Sequence, residues 1–327
     1  RLKELSIKKA IQKADDIHDN ATVKIANKDD CPRYMGAVLK NVSVGSSPDW
    51  MVARLKAAGQ RSINNIVDIS NYVLLEMGHP THIFDYDKIP SNIIGIRRVK
   101  NDKQITTLDE EKRKLSPQQL LITDGKKPIA LAGIMGGLEA AVTKTTTTVF
   151  VESAYFNPVT IRKGSKELGL LTDASRRFER GADIQAAETA LWRVINLLVE
   201  MADGTMVPGI IDEYPGVVKV PSISMRRSEL DLYAGCDISD QKVTGILNGL
   251  GVTNTKKKDH WVCKPPTYRP DLEREVDLIE EIIRVYGYDN IPSATHFSSS
   301  FSPDDPDPEE NLDQLRQLLS GFGYHEC

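Results

Sequence analysis

Between residues 61 and 87 the chain reads RSINNIVDISNYVLLEMGHPTHIFDYD. Ile63, Ile66, Val67, Val73, Leu74 and Met77 recur at roughly helical spacing, and one apolar stripe of this kind predicts an amphipathic helix. Gly78, free to take positive φ, ends it, and Pro80 forbids its resumption. The THIFD that follows mixes a hydroxyl, an imidazole, two apolar residues and a carboxylate. It is expected as a loop that holds polar groups at the rim of a pocket.

The same reading extends along the chain. Residues 1–20 predict a helix that stops at Asp19-Asn20, and residues 33–44 a strand rich in β-branched and aromatic residues. Ser47-Pro48-Asp49 opens a helix that ends near Gly59. From 92 to 152 the texture changes to short strands (IIGIRRV, QITTL, QLLITD, PIALAGI, TTVFVESA) separated by polar turns. Helices resume at Asn157-Pro158, and a longer one covers 184–201. Strands and helices are grouped rather than alternating, which predicts an α+β fold. Residues 204–219 are rich in Gly and Pro. The next unit opens with the strand SISM, then two short helices, a β-ribbon (VTNTKKKDHWVCKPP) and a long helix over 271–286. The expected division is a remnant of an N-terminal domain at 1–30 and a mixed α/β domain at 31–203. After a linker at 204–219 comes a small helical, winged-helix-like domain at 220–292. A Ser/Pro/Asp linker at 293–308 leads to the start of a further domain at 309–327.

Composition changes this picture little. The 327 residues suffice for two or three domains, and 40% hydrophobic with 27% charged is ordinary for a soluble protein. No apolar run approaches the roughly 18 residues of a membrane span. The first residues, RLKELSIKKA, are charged and lack Met, and the chain stops just after a helix-like run, so a piece of a longer chain is expected. Cys31, Cys236, Cys263 and Cys327 have no metal-ligand spacing, and free thiols in a reducing cytoplasm are expected. A net charge of −4 argues against broad nucleic-acid binding by this surface alone.

Candidate chemistry gathers in three segments of the first domain. One holds Asn71 and His82. The second, ALAGIMGG from Ala130 to Gly137, uses Gly where backbone must approach a neighbour or turn tightly; it lacks the Lys-Ser/Thr ending and following helix of a phosphate loop. The third is Glu152, at the end of an apolar strand, where a buried carboxylate wants a donor. Each has a structural alternative: a histidine that only makes a hydrogen bond, a glycine turn, a glutamate paired with an arginine. No GxSxG elbow and no HExxH zinc motif is present. Arg176, Arg177 and Arg180 form a basic cluster, either a solvated helix face or a nucleic-acid contact. In the second domain Asp277, Glu280 and Glu281 share a helix face, with Asp271 just before it. Oxygen ligands of this type suit Mg²⁺; the alternative is a charged face neutralised by Arg274 and Arg284. Lys256-Lys257-Lys258 would suit a wing on nucleic acid, but the long helix beside it is acidic.

RSINNIVDISNYVLLEMGHPTHIFD strongly resembles a signature of the bacterial phenylalanyl-tRNA synthetase beta subunit, and VESA, LTDASRRFERG and PTYRPDLEREVDLIEEIIRVYGYDNIP extend the resemblance over about residues 30–295. The resemblance implies an editing domain that hydrolyses tyrosine mischarged on tRNA(Phe). In it His82 matches the editing histidine and Glu152 the acceptor of the tyrosine hydroxyl. Asn71, Ala132, Gly133, Gly136, Thr172 and Ala174 match pocket positions. Where the family writes HAFD, this chain has Ile83. Asp271, Asp277, Glu280 and Glu281 match magnesium ligands at the contact with the alpha subunit. The implied assembly is an alpha2beta2 heterotetramer in the cytoplasm, touching the tRNA acceptor end, with no membrane or DNA partner. ATP is used by the alpha subunit and not by this piece. The competing expectations are a scaffold with an idle pocket, or a free-standing hydrolase or nucleic-acid module.

Overall fold

The computed structural model describes residues 7–9, 17–293 and 309–327. In chain order its first elements are α1 (Ile17–Asn20), β1 (Thr22–Ile25), β2 (Arg33–Lys40), α2 (Asp49–Ala57), α3 (Asn65–Met77), β3 (Thr81–Asp85), β4 (Ile93–Arg98), β5 (Gln104–Thr106), β6 (Lys112–Lys114), β7 (Leu120–Thr123), β8 (Pro128–Leu131), β9 (Met135–Gly136) and β10 (Val149–Tyr155). Then follow α4 (Pro158–Leu168), α5 (Asp173–Phe178), α6 (Ala186–Met201), β11 (Thr205–Met206), β12 (Ile211–Glu213), β13 (Ile223–Arg226), α7 (Arg227–Ala234), α8 (Asp240–Gly249), β14 (Thr253–Lys256), β15 (His260–Lys264), α9 (Glu275–Tyr286) and α10 (Glu310–Gly321). The chain is α+β, as expected. The 293–308 linker falls almost wholly outside the described residues, as does most of the helix expected over 1–20.

Local signals set the helix ends. The Asn64 side chain accepts from Val67 N–H at 3.0 Å and starts α3; Gly78, at φ +73°, stops it. The start falls later than the apolar pattern suggested, because Ser62 and Ile63 are tied back to the helix. Asp68, fully buried, accepts from Ser47 Oγ, Ser62 Oγ and Ile63 N–H.

THIFD is not a loop. It forms β3, an antiparallel partner of β10. The open side of β10 recruits it, and such non-local pairing overrides local composition. The sheet runs β11-β2-β10-β3, with β12 also on β2. Alternation along strands divides its two faces. Met35, Ala37, Leu39, Ile83, Val149 and Val151 pack under α2, α3 and α6. Tyr34, Val38, Phe84, Phe150 and Ala154 pack toward the other sheet, β1-β4-β7-β8-β9. The result is three layers: helices, sheet, sheet.

β1 lies in the presumed remnant yet pairs with β4, and β11 and β12 lie in the presumed linker yet pair with β2. Strands of two to four residues carry no readable periodicity; Val23 and Ile211 join the core nonetheless.

The second unit joins β13 and the ribbon into one sheet, β13-β15-β14, covered by α7, α8 and α9 around a core that includes Trp261, Leu278 and Ile282. Thr267 Oγ1 donates to Asp183 Oδ1 at 2.6 Å and ties this unit to the first. Every residue of α10 is exposed.

Candidate functional site

β3 and β10 pair so that His82 stands directly opposite Glu152. Directly opposed residues share a face, with Cβ atoms about 5 Å apart. Period two puts both on the side turned toward the second sheet. There Gly133, in the turn between β8 and β9, closes the floor. It sits at φ +66°, and a Cβ on it would meet Ile161, Phe156 and Phe178 at 3.0 Å. Its N–H has no partner among the described residues. Gly136 is needed for closeness: a Cβ there would lie 2.5 Å from His82 Cε1 and 2.7 Å from Nε2.

Two adjoining cavities share part of their lining. The smaller, of about 60 Å³, is lined by His82, Gly133, Gly136, Glu152, Ala174 and Phe178, among others. The larger, of about 280 Å³, is lined by Asn71, Leu74, Leu108 and Thr172, and shares His82, Gly136 and Ala174 with the smaller. Thr172 caps α5: its hydroxyl accepts from Ser175 N–H at 3.1 Å and donates to Ile134 O at 2.8 Å, which moors α5 to the glycine turn. Seven of the eight first-domain residues expected at the site therefore line one or both of two adjoining cavities. Ala132 does not. It is fully buried in the core and lines neither cavity, because the chain turns one residue later, at Gly133.

Sequence reasoning missed Tyr34. Its hydroxyl, fully buried on β2, donates to Glu152 Oε2 at 2.9 Å. A tyrosine inside an apolar strand needs a partner for its hydroxyl, and that was the available signal.

The electrostatics of the site are those of an uncharged pocket. Burial pushes the Glu152 carboxyl up to about 8, and the Tyr34 hydrogen bond opposes this only in part. Burial takes the His82 imidazole down to about 4, so the ring is neutral at pH 7. It stacks edge-on against Phe84 with ring centroids 4.5 Å apart. His79, nearby in sequence, is also buried and low, about 4, with burial outweighing the opposing pull of Asp183 and the Ala154 backbone. A neutral imidazole, a backbone N–H without a partner among the described residues and a carboxyl, all lining one small cavity, can orient water and read a hydroxyl. They do not make a nucleophile-and-base pair.

The acidic residues of the second unit are arranged differently. Asp271 is gripped by Arg269, which also reaches Glu281 at 3.1 Å. Asp277 pairs with Arg274 and accepts from the N–H groups of Glu273 and Arg274. Arg284 pairs with Glu281. The arginines hold Asp271, Asp277 and Glu281 below the usual carboxylate range. Glu280 is exposed. Among the described residues no group of three or more metal-binding side chains converges. The donor set has the right chemistry for Mg²⁺, yet as arranged it does not fit an ion held by this chain alone. In the basic cluster Arg177 binds Asp173, while Arg176 and Arg180 are exposed.

Residues 30–203 match the B3/4 domain family, and residues 223–288 match the tRNA synthetase B5 domain. The chain is 41% identical over 318 residues to the phenylalanine–tRNA ligase beta subunit of Geobacter sulfurreducens, covering 97% of this chain and 40% of that one. It is 42% identical over 309 residues to that of Carboxydothermus hydrogenoformans, covering 93% and 38%. The chain thus belongs to the phenylalanine–tRNA ligase beta-subunit family, and it spans about two fifths of the length of these relatives. A crystal structure of an N-terminal fragment of the phenylalanyl-tRNA synthetase beta subunit from Pyrococcus horikoshii aligns over 88% of this chain and 78% of its own, at 15% identity and a TM-score of 0.39, too low to bear on the fold. No helix of the described residues is long and apolar enough to cross a membrane.

Proposed function

We propose that this chain edits: it hydrolyses tyrosine mischarged on tRNA(Phe), in support of ATP-dependent aminoacylation by an alpha subunit. The observation that carries the reading is the cross-strand pairing of His82 with Glu152 on the face that lines one cavity. Tyrosine and phenylalanine differ by one hydroxyl. A site built to hydrogen-bond that hydroxyl rejects the analogue lacking it far better than an apolar pocket rejects an added group. Glu152 is the reader. His82, neutral, orients water or the terminal ribose. The free N–H of Gly133 is the available donor for the developing oxyanion. The ring has to push its way in, because about 60 Å³ is well below the roughly 150 Å³ in which an apolar cavity takes up benzene. The wall that can give is α5, a helix of 6 residues carrying Ala174 and Phe178.

The same reading gives the second unit, winged-helix-like in its two short helices and hairpin, the role of an interface to the alpha subunit in a cytoplasmic alpha2beta2 assembly. Arg176 and Arg180 would face the tRNA acceptor end. Mg²⁺ at Asp271, Asp277, Glu280 and Glu281 would require the partner to draw Arg269 away from Asp271 and Glu281. The small volume of the cavity at Glu152 favours one competing reading, a scaffold with an idle pocket. Deacylation assays separate the two. The wild-type chain should hydrolyse Tyr-tRNA(Phe) faster than Phe-tRNA(Phe). His82→Ala should slow the reaction in a folded domain, and Glu152→Ala should erase the preference. A wild-type chain that releases neither amino acid would leave the scaffold.

A further inference from the structure

We propose that Tyr34 is a positioning residue that decides which oxygen of Glu152 meets a ligand, and thereby sets the pocket's preference for an aryl hydroxyl. The inference rests on the editing reading above. Tyr34 comes from β2, on the far side of β10 from His82, and its side chain is fully enclosed. Its hydroxyl donates to Oε2 of Glu152, the one side-chain hydrogen bond the carboxyl makes among the described residues. Glu152 retains 6% exposure and lines the smaller cavity. One oxygen is therefore spent inside the protein and the other is left for the cavity.

The terminal torsion of a glutamate is broad. This bond is the directional restraint on the carboxyl among the side-chain hydrogen bonds of the described residues, so the hydroxyl of Tyr34 orients its plane. A protein phenol and a ligand phenol then approach the same carboxyl from opposite sides. Remove the first, and the pocket contains two unmet oxygens, of which the ligand satisfies one. The donor also favours the ionised form of Glu152, working against burial. A role confined to packing would do neither of these things.

The test uses Tyr34→Phe, which keeps the ring and deletes the hydroxyl, in the full chain with Tyr-tRNA(Phe) and Phe-tRNA(Phe). Loss of a hydrogen bond made in ground and transition states alike should raise KM for the tyrosyl ester about tenfold and leave kcat within about twofold. Hydrolysis of the phenylalanyl ester should not change. In a Glu152→Ala background the substitution should add nothing, since Tyr34 acts through Glu152. The protonation midpoint of the Glu152 carboxyl, followed by carbon-13 NMR without substrate, should move to higher pH in Tyr34→Phe. An unmoved midpoint, an unchanged KM, or an additive effect without Glu152 overturns the role of Tyr34. Wild type that hydrolyses neither ester overturns the editing reading and the selectivity role with it, whereas a selective wild type with an equally selective Tyr34→Phe overturns the latter alone.

Discussion

Gly136→Ala tests whether the place of His82 matters. The added Cβ would lie 2.5 and 2.7 Å from two imidazole atoms and 3.0 Å from Leu108 Cδ1. Carbon contacts are comfortable at about 3.5 Å, so the ring must retreat by about 1 Å. The backbone is no obstacle, because Gly136 is not among the residues with positive φ. Retreat is awkward, since Phe84 stands 4.5 Å away, centroid to centroid. Overpacking of this sort costs about 1–3 kcal/mol, offset by roughly 0.5–1 kcal/mol for removing a strand glycine. The variant should therefore fold, with unfolding a few degrees earlier. A misplacement of about 1 Å costs on the order of a hundredfold in rate, and that is the loss expected in Tyr-tRNA(Phe) deacylation. Thermal unfolding and deacylation would be measured on the same sample. A folded variant with wild-type rate would show that the imidazole does no chemistry where it stands.

Two other outcomes follow from the site's charges. Glu152 keeps its proton to about 8 when folded against 4.5 ordinarily, so its contribution to stability is full below the lower value and is lost as pH rises through the upper one. His79 and His82 fall to about 4 from 6.5, so their contribution is full above 6.5 and is lost as pH falls through about 4. Urea midpoints of Glu152→Gln should lose the alkaline decline between 4.5 and 8 and keep the acid one; an unaltered alkaline limb would mean Glu152 is ionised when folded. Millimolar Mg²⁺ should leave the melting temperature of the chain unchanged, because Arg269 already occupies Asp271 and Glu281; a saturable rise would reveal a site this chain completes unaided.

What the sequence disclosed and what it withheld divide along the range of the interaction. α3 was readable because its stripe, its stop at Gly78 and the proline beyond are all local. Glu152 was recognisable as a carboxyl in want of a donor, but the donor, Tyr34, is 118 residues away, and nothing near either names the other. THIFD was misjudged for the same reason: its strand character comes from β10 and not from its own five residues. Ala132 lines neither cavity, since the apex of the turn falls at Gly133 and cannot be located from composition when Ala and Gly adjoin. The acidic face of α9 was visible as spacing, while Arg269, which neutralises part of it from before the helix, became apparent only in three dimensions.

The distance between the imidazole and the carboxyl is set by a ladder of backbone hydrogen bonds, not by a loop. Such spacing cannot drift by small adjustments. One residue gained or lost in either strand would turn its side chains over, sending His82 or Glu152 to the side where Ile83 and Val151 now meet the helices. Variation among descendants of this fold is then channelled to the short capped helix that forms the remaining wall, where length and side chains can alter without touching the ladder.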